Sequence, residues 1–173
     1  MRKKKNKIGI LGGSFDPPHK GHLAISIDAK KRLKLKKIIW AITKKNPFKK
    51  KSTTGVLTRI EQCKKKIGKK SFIKVKCYED IIKSNKTIDL IIYLSKNKSD
   101  EIHFLMGADN LINFHKWHKW KIISKKCKII VFDRHGYKKK SLNSMTFKRL
   151  NRKNLEYIEF NKVNISSSQL RKI

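Results

Sequence analysis

Short apolar runs alternate with longer mixed stretches along the whole chain, and no other feature restricts the fold as much. "KIGILG" (7–12) reads as a strand that stops at paired glycines. From Gly21 the segment "HLAISIDAKKRL" has helical spacing, with Leu23 and Ile27 on one face and Ile25, Ala29 and Leu33 on another. "KKIIWAIT" (36–43) predicts a second strand, "VLTRIEQCKKKI" (56–67) a helix, and the alternating "SFIKVKC" (71–77) a third strand. A helix opens at Thr87, with Ser84, Asn85 or Thr87 as its cap. Further strands at 101–107, 127–133 and 155–160 flank a mostly helical stretch at 110–123, and a serine-capped helix opens at 166. This succession predicts an α/β, doubly wound domain: a mostly parallel sheet with helices on both faces. At 173 residues one domain spanning 1–173 is expected, without internal repeat or linker. The lysine runs at 3–5, 49–51 and 138–140 read as solvated loops or ends.

The chain holds only 8 glycines and 3 prolines, yet "GGSFDPPHKGH" (12–22) contains three of the glycines and two of the prolines. This segment lies between the first strand and the first helix, and in open parallel sheets ligands sit beyond the carboxyl ends of the strands. Gly12 and Gly13 are expected to take conformations closed to other residues and to let a ligand approach the main chain. Pro17 and Pro18 stiffen the loop. Gly21 leaves room beside a helix start whose N–H groups and partial positive charge favour a phosphate. His19 precedes that helix and His22 lies in its first turn, so both rings can face one anion. The spacing is neither GxGxxG nor GxxxxGK[ST], which sets aside the usual dinucleotide and P-loop readings. No nearby acid or cysteine completes a zinc site around the histidines, so no metal ligand set is assigned.

Lys+Arg is 46 against 12 Asp+Glu, a formal charge of +34. Such a charge suits a nucleic-acid binder held by counterion release. Only seven of the basic residues are arginines, however, and the lysines are spread evenly without interleaved aromatics. Arginine is the side chain that forks onto phosphates and guanine edges, so a biased composition explains the charge better than specific nucleic-acid binding. Either way the field attracts anionic small molecules. No apolar run is long enough to span a membrane. Cys63, Cys77 and Cys127 are far apart and odd in number, which suits a reducing cytoplasm better than a disulfide scaffold.

"GGSFDPPHKGH" resembles the HxGH signature of the nucleotidylyltransferase superfamily, relatives of the class I aminoacyl-tRNA synthetases. The fuller resemblance is to the bacterial nicotinate-nucleotide adenylyltransferase family and covers nearly the whole chain. It takes in "WAITKKNPFK" (40–49), Arg59, Thr87, "FLMGADNLINFHKWHKW" (104–120), "RHGY" (134–137) and "ISSSQLR" (165–171). It implies a Rossmann-like fold and transfer of the adenylyl group of ATP to nicotinate mononucleotide, giving deamido-NAD and pyrophosphate. It further implies that His19, His22 and Arg171 act in catalysis. Gly12, Gly13, Ser14, Phe15, Gly107, Asp109, Ser167 and Ser168 would bind ATP beside them. Lys45, Asn46, Thr87, Trp117 and Arg134 would bind the mononucleotide, and Mg²⁺ would arrive with the triphosphate. A homo-oligomer is compatible with the resemblance. Ser168 and His135 stand where the family usually has threonine and proline. Asp89 lies in the first turn of the helix opened by Thr87. If it pointed inward it would repel a nicotinate carboxylate, so it is expected to turn out or to bond back to the helix start. The alternatives are a pantetheine-phosphate type adenylyltransferase, which lacks the GADN–Trp pattern, and a basic nucleic-acid-binding protein, which leaves the loop unexplained.

Overall fold

Alternate residues of the first strand feed two different cores. In the computed structural model, which describes residues 5–44 and 54–160, β1 (Asn6–Gly13) sends Ile8 and Ile10 to one face and Leu11 to the other. The chain continues through α1 (Lys20–Leu33), β2 (Lys37–Ile42), α2 (Val56–Ile67), β3 (Ile73–Lys76), α3 (Glu79–Ile82) and α4 (Thr87–Leu94). It then forms β4 (Asp100–Gly107), α5 (Ala108–Asn113), α6 (Trp120–Lys126), β5 (Lys128–Phe132), α7 (Lys138–Leu142), α8 (Met145–Arg149) and β6 (Leu155–Ile158). The strands make one sheet in the order β3-β2-β1-β4-β5-β6, and every pairing is parallel.

One core packs Ala29 and Leu33 of α1 and Cys63 and Ile67 of α2 against Leu11, Ile38, Trp40, Leu105 and Ile130. The other packs Ile88 and Ile91 of α4, Leu111 of α5 and Ile123 of α6 against Ile10, Ile39, Phe104 and Ile129. Burial on both faces is why the central strands read as nearly unbroken apolar runs. The chain leaves β1 towards β2 on one side and returns beside β1 as β4 on the other. That reversal opens a crevice at the carboxyl ends of β1 and β4, where the glycine- and histidine-rich loop emerges.

Among the described residues the expected long elements are present, with differences at three places. The α1 stripe includes polar residues: buried Ser26 accepts a hydrogen bond from Trp40 Nε1 at 2.8 Å and donates to the His22 carbonyl at 2.8 Å. The lysine run at 138–140 opens α7 instead of a loop, and α3 and α8 were not expected either. These helices have only four or five residues each, too few to show a repeating apolar stripe. None of Ser84, Asn85 or Thr87 caps α4: its N-cap is Lys86, which makes no side-chain cap bond. The helix expected from 166 lies outside the described residues.

Candidate functional site

His19 is the N-cap of α1, in extended conformation at φ −136° and ψ 172°. Its Nδ1 accepts the Gly21 N–H at 3.1 Å, and its own N–H donates to His22 Nδ1 at 3.1 Å. The two histidines thus close a reciprocal capping box, a role usually filled by serine and glutamate. With each Nδ1 engaged as an acceptor, a neutral ring carries its proton on Nε2. The rings lie close together, centroids 3.7 Å apart and planes tilted by 30°, and the Phe15 ring lies 4.5 Å from His22 and stacks on buried Trp40 at 5.0 Å. Phe15 is 1% exposed and left-handed, with φ 48°. That conformation costs about 1 kcal/mol, which burial of its ring offsets.

Gly12 and Gly13 correct an expectation. Both belong to extended β1 and neither has positive φ, so their backbone is open to any residue. A Cβ on Gly12 would meet Phe104 at 3.6 Å and one on Gly13 would meet Phe15 at 3.4 Å, both ordinary contact. What glycine provides here is bare main chain facing the crevice. The left-handed turn is made by Phe15.

Arg59, 1% exposed, ties this loop to its neighbours. Its Nη1 donates to the Ser14 carbonyl at 2.5 Å and the Thr43 carbonyl at 2.9 Å, its Nη2 to the Lys44 carbonyl at 3.3 Å, and its Nε to the Thr54 carbonyl at 2.9 Å. One guanidinium therefore holds the loops after β1 and β2 and the approach to α2.

Two cavities meet over Gly12, Gly13 and Asn110. The smaller, about 100 Å³, is lined by Ser14, Phe15, His19, His22, Gly107 and Asp109, so the described residues expected to bind ATP converge there. Arg134, expected with the mononucleotide, lines this cavity instead and pairs with Asp109 Oδ2 at 2.8 Å. The larger, about 360 Å³, is lined by Thr87 and Trp117, two of the residues expected with the mononucleotide, together with Tyr78, Glu79, Ser84 and Lys86. Trp117 is half-buried and meets Phe104 and Phe114 edge-on at 5.9 and 5.2 Å. Lys45, Asn46, Ser167, Ser168 and Arg171 lie outside the described residues.

Sequence reasoning missed Asn110, which borders both cavities, and Tyr78 and Glu79, which follow β3. The available signal was position, since each follows the carboxyl end of a parallel strand. Asp89 is bonded back to the helix start: its Oδ2 accepts the Ser84 hydroxyl at 2.6 Å. Burial pushes the Cys63 and Cys127 thiols up to about 12, so neither is a thiolate nucleophile at neutral pH. Among the described residues no helix is long and apolar enough to cross a membrane, and no group of three His, Cys, Asp or Glu converges as a metal site.

The profile of the cytidylyltransferase-like family matches residues 10–173. A Pelagibacter ubique protein described as a probable nicotinate-nucleotide adenylyltransferase is 66% identical over 173 residues, covering 100% of this chain and 96% of the relative. A Bradyrhizobium sp. (strain ORS 278) protein of the same description is 38% identical over 148 residues, 84% of this chain and 77% of the relative. Among solved structures, Plasmodium falciparum nicotinic acid mononucleotide adenylyltransferase complexed with NaAD superposes with a TM-score of 0.80 at 22% identity, covering 96% of this chain and 83% of that one.

Proposed function

This chain belongs to the cytidylyltransferase-like family, among its nicotinate-nucleotide adenylyltransferases, and from that membership we infer that it joins ATP to nicotinate mononucleotide. The products are deamido-NAD and pyrophosphate, in NAD biosynthesis. The observation that carries this reading at the level of residues is the pair of cavities meeting over the bare backbone of Gly12 and Gly13, with the histidine pair on one of them.

In the reaction an oxygen of the mononucleotide phosphate forms a bond to the α-phosphorus of ATP while the bond to the bridging oxygen of pyrophosphate breaks. A phosphate monoester near neutral pH is already a nucleophile, so the protein's contribution is positioning and charge stabilisation. His19 and His22 offer Nε2–H donors to the transferring group. The start of α1 adds a favourable dipole. Asp109 is the acceptor for a ribose hydroxyl, and Arg134, its partner at 2.8 Å, lies beside the nucleotide. Trp117 presents a ring for the pyridine to stack on, next to the start of α4. Ser167, Ser168 and Arg171 take the β- and γ-phosphates, and Lys45 and Asn46 the mononucleotide phosphate. Mg²⁺ enters as part of the MgATP substrate.

The test is direct. Incubated with MgATP and nicotinate mononucleotide, the protein is expected to release pyrophosphate and the dinucleotide in equal amounts. Pyrophosphate release that needs a pantetheine phosphate, or none with any mononucleotide, would reject the reading.

A further inference from the structure

One carboxylate lines the larger cavity, a second lies in the helix turn beside it, and each is engaged by a donor. Glu79 lines the cavity, and its Oε1 accepts the Lys44 N–H at 3.0 Å. Asp89 is half-buried in the first turn of α4, between Thr87 and Leu90, which both line the cavity. Its Oδ2 accepts the Ser84 hydroxyl at 2.6 Å. Ser84 itself lines the cavity, and its oxygen also accepts the Lys86 N–H at 3.1 Å. A hydroxyl has one proton to give, and this one goes to Asp89, so the serine pins both the carboxylate and the turn that leads into α4. With the two acids held in this way, the charged side chains that line the cavity among the described residues are Lys86 and Lys116 against Glu79.

We propose that Ser84 is a positioning residue for substrate choice, restraining the Asp89 carboxylate so that the larger cavity accepts an anionic pyridine. This inference rests on the mononucleotide reading of that cavity. The acid and amide forms of the substrate differ in one group, a carboxylate against a neutral amide. An unrestrained carboxylate one turn into α4 would repel the first and be indifferent to, or accept from, the second. Ser84 touches neither the reacting phosphates nor the histidine pair. Its effect is therefore expected in the discrimination between pyridines and not in the chemistry.

The experiment compares steady-state kinetics with nicotinate mononucleotide and nicotinamide mononucleotide at saturating MgATP. Ser84→Ala is expected to raise KM for the acid about tenfold, leaving KM for the amide and for ATP within about twofold. Ser84→Thr, which keeps the hydroxyl, should retain the wild-type ratio and guards against a fold defect. The double variant Ser84→Ala/Asp89→Asn should recover most of the lost discrimination, because the charge that the serine restrains has gone. Equal losses on both pyridines, or a double variant no better than Ser84→Ala, would overturn the proposal. A wild-type protein that adenylylates neither pyridine would overturn the function itself, a result distinct from any change in the ratio.

Discussion

Gly107 ends β4 and precedes the turn that carries Asp109. A Cβ there would lie 2.5 Å from Asp109 Oδ1, inside any tolerable contact, so Gly107→Ala must push the carboxylate aside and with it the 2.8 Å pair to Arg134. Both partners of that pair are partly exposed, at 22% and 24%, so its loss costs at most about 1 kcal/mol of stability. The functional loss should be larger and one-sided. We expect KM for ATP to rise about tenfold with KM for the mononucleotide unchanged, read from initial rates with each substrate varied in turn. A rise confined to the mononucleotide would move Asp109 to the other subsite. This contact could not be read from sequence: "GADN" marked Asp109, but only the fold shows its carboxylate lying over the missing side chain of Gly107. Gly12 and Gly13 show the converse. They stood out in the sequence, and the conformational reason expected for them proved wrong, because the left-handed residue of the loop is Phe15.

At the scale of elements, α1 begins on a residue that also belongs to the candidate site. His19 caps the helix through Nδ1 and is assigned to catalysis through Nε2, so removing it affects folding and chemistry together. Two substitutions separate them. His19→Ala loses the cap and should cost about 1 kcal/mol as well as activity. His19→Asn can still accept the Gly21 N–H, so its thermal midpoint should stay close to wild type while kcat falls about 10²–10³-fold, the usual loss for one transition-state donor. His22→Ala should lose a similar factor. A His19→Asn enzyme of normal kcat would reduce His19 to a cap. The histidine pair was legible in the sequence because His19 directly precedes an expected helix start and His22 lies in its first turn. The long helices and central strands were legible because each buries a repeating stripe or a continuous run. The helices α3, α7 and α8 were not, since four or five residues complete barely one turn. Residues on or beside them, such as Glu79, entered the site unannounced.

Over the whole molecule the formal charge of +34 acts on every anion that approaches. Its reach is about 10 Å at 0.1 M salt and shrinks to about 3 Å at 1 M, so the attraction works on encounter more than on the bound state. We expect kcat/KM for both substrates to fall severalfold between low and high potassium chloride, with kcat nearly constant. The thermal midpoint should rise over the same range as self-repulsion is screened. A kcat/KM insensitive to salt would mean that the lysines play no part in capture. The excess charge was plain from composition alone, and its even spread already argued against a dedicated nucleic-acid face.

The shared wall of Gly12, Gly13 and Asn110 bears on what happens after the bond is made. On the proposed reading each substrate fills one chamber and can leave by itself, whereas the dinucleotide occupies both at once and must let go of both together. The product is thus a tethered pair: either end, if it slips out, is held near its chamber by the other and returns before the whole escapes. Such a molecule lingers where its parts would not, and it excludes either incoming substrate for as long as it stays. On that reading, the architecture that brings two reactants into line is expected to make the finished dinucleotide a brake on its own synthesis.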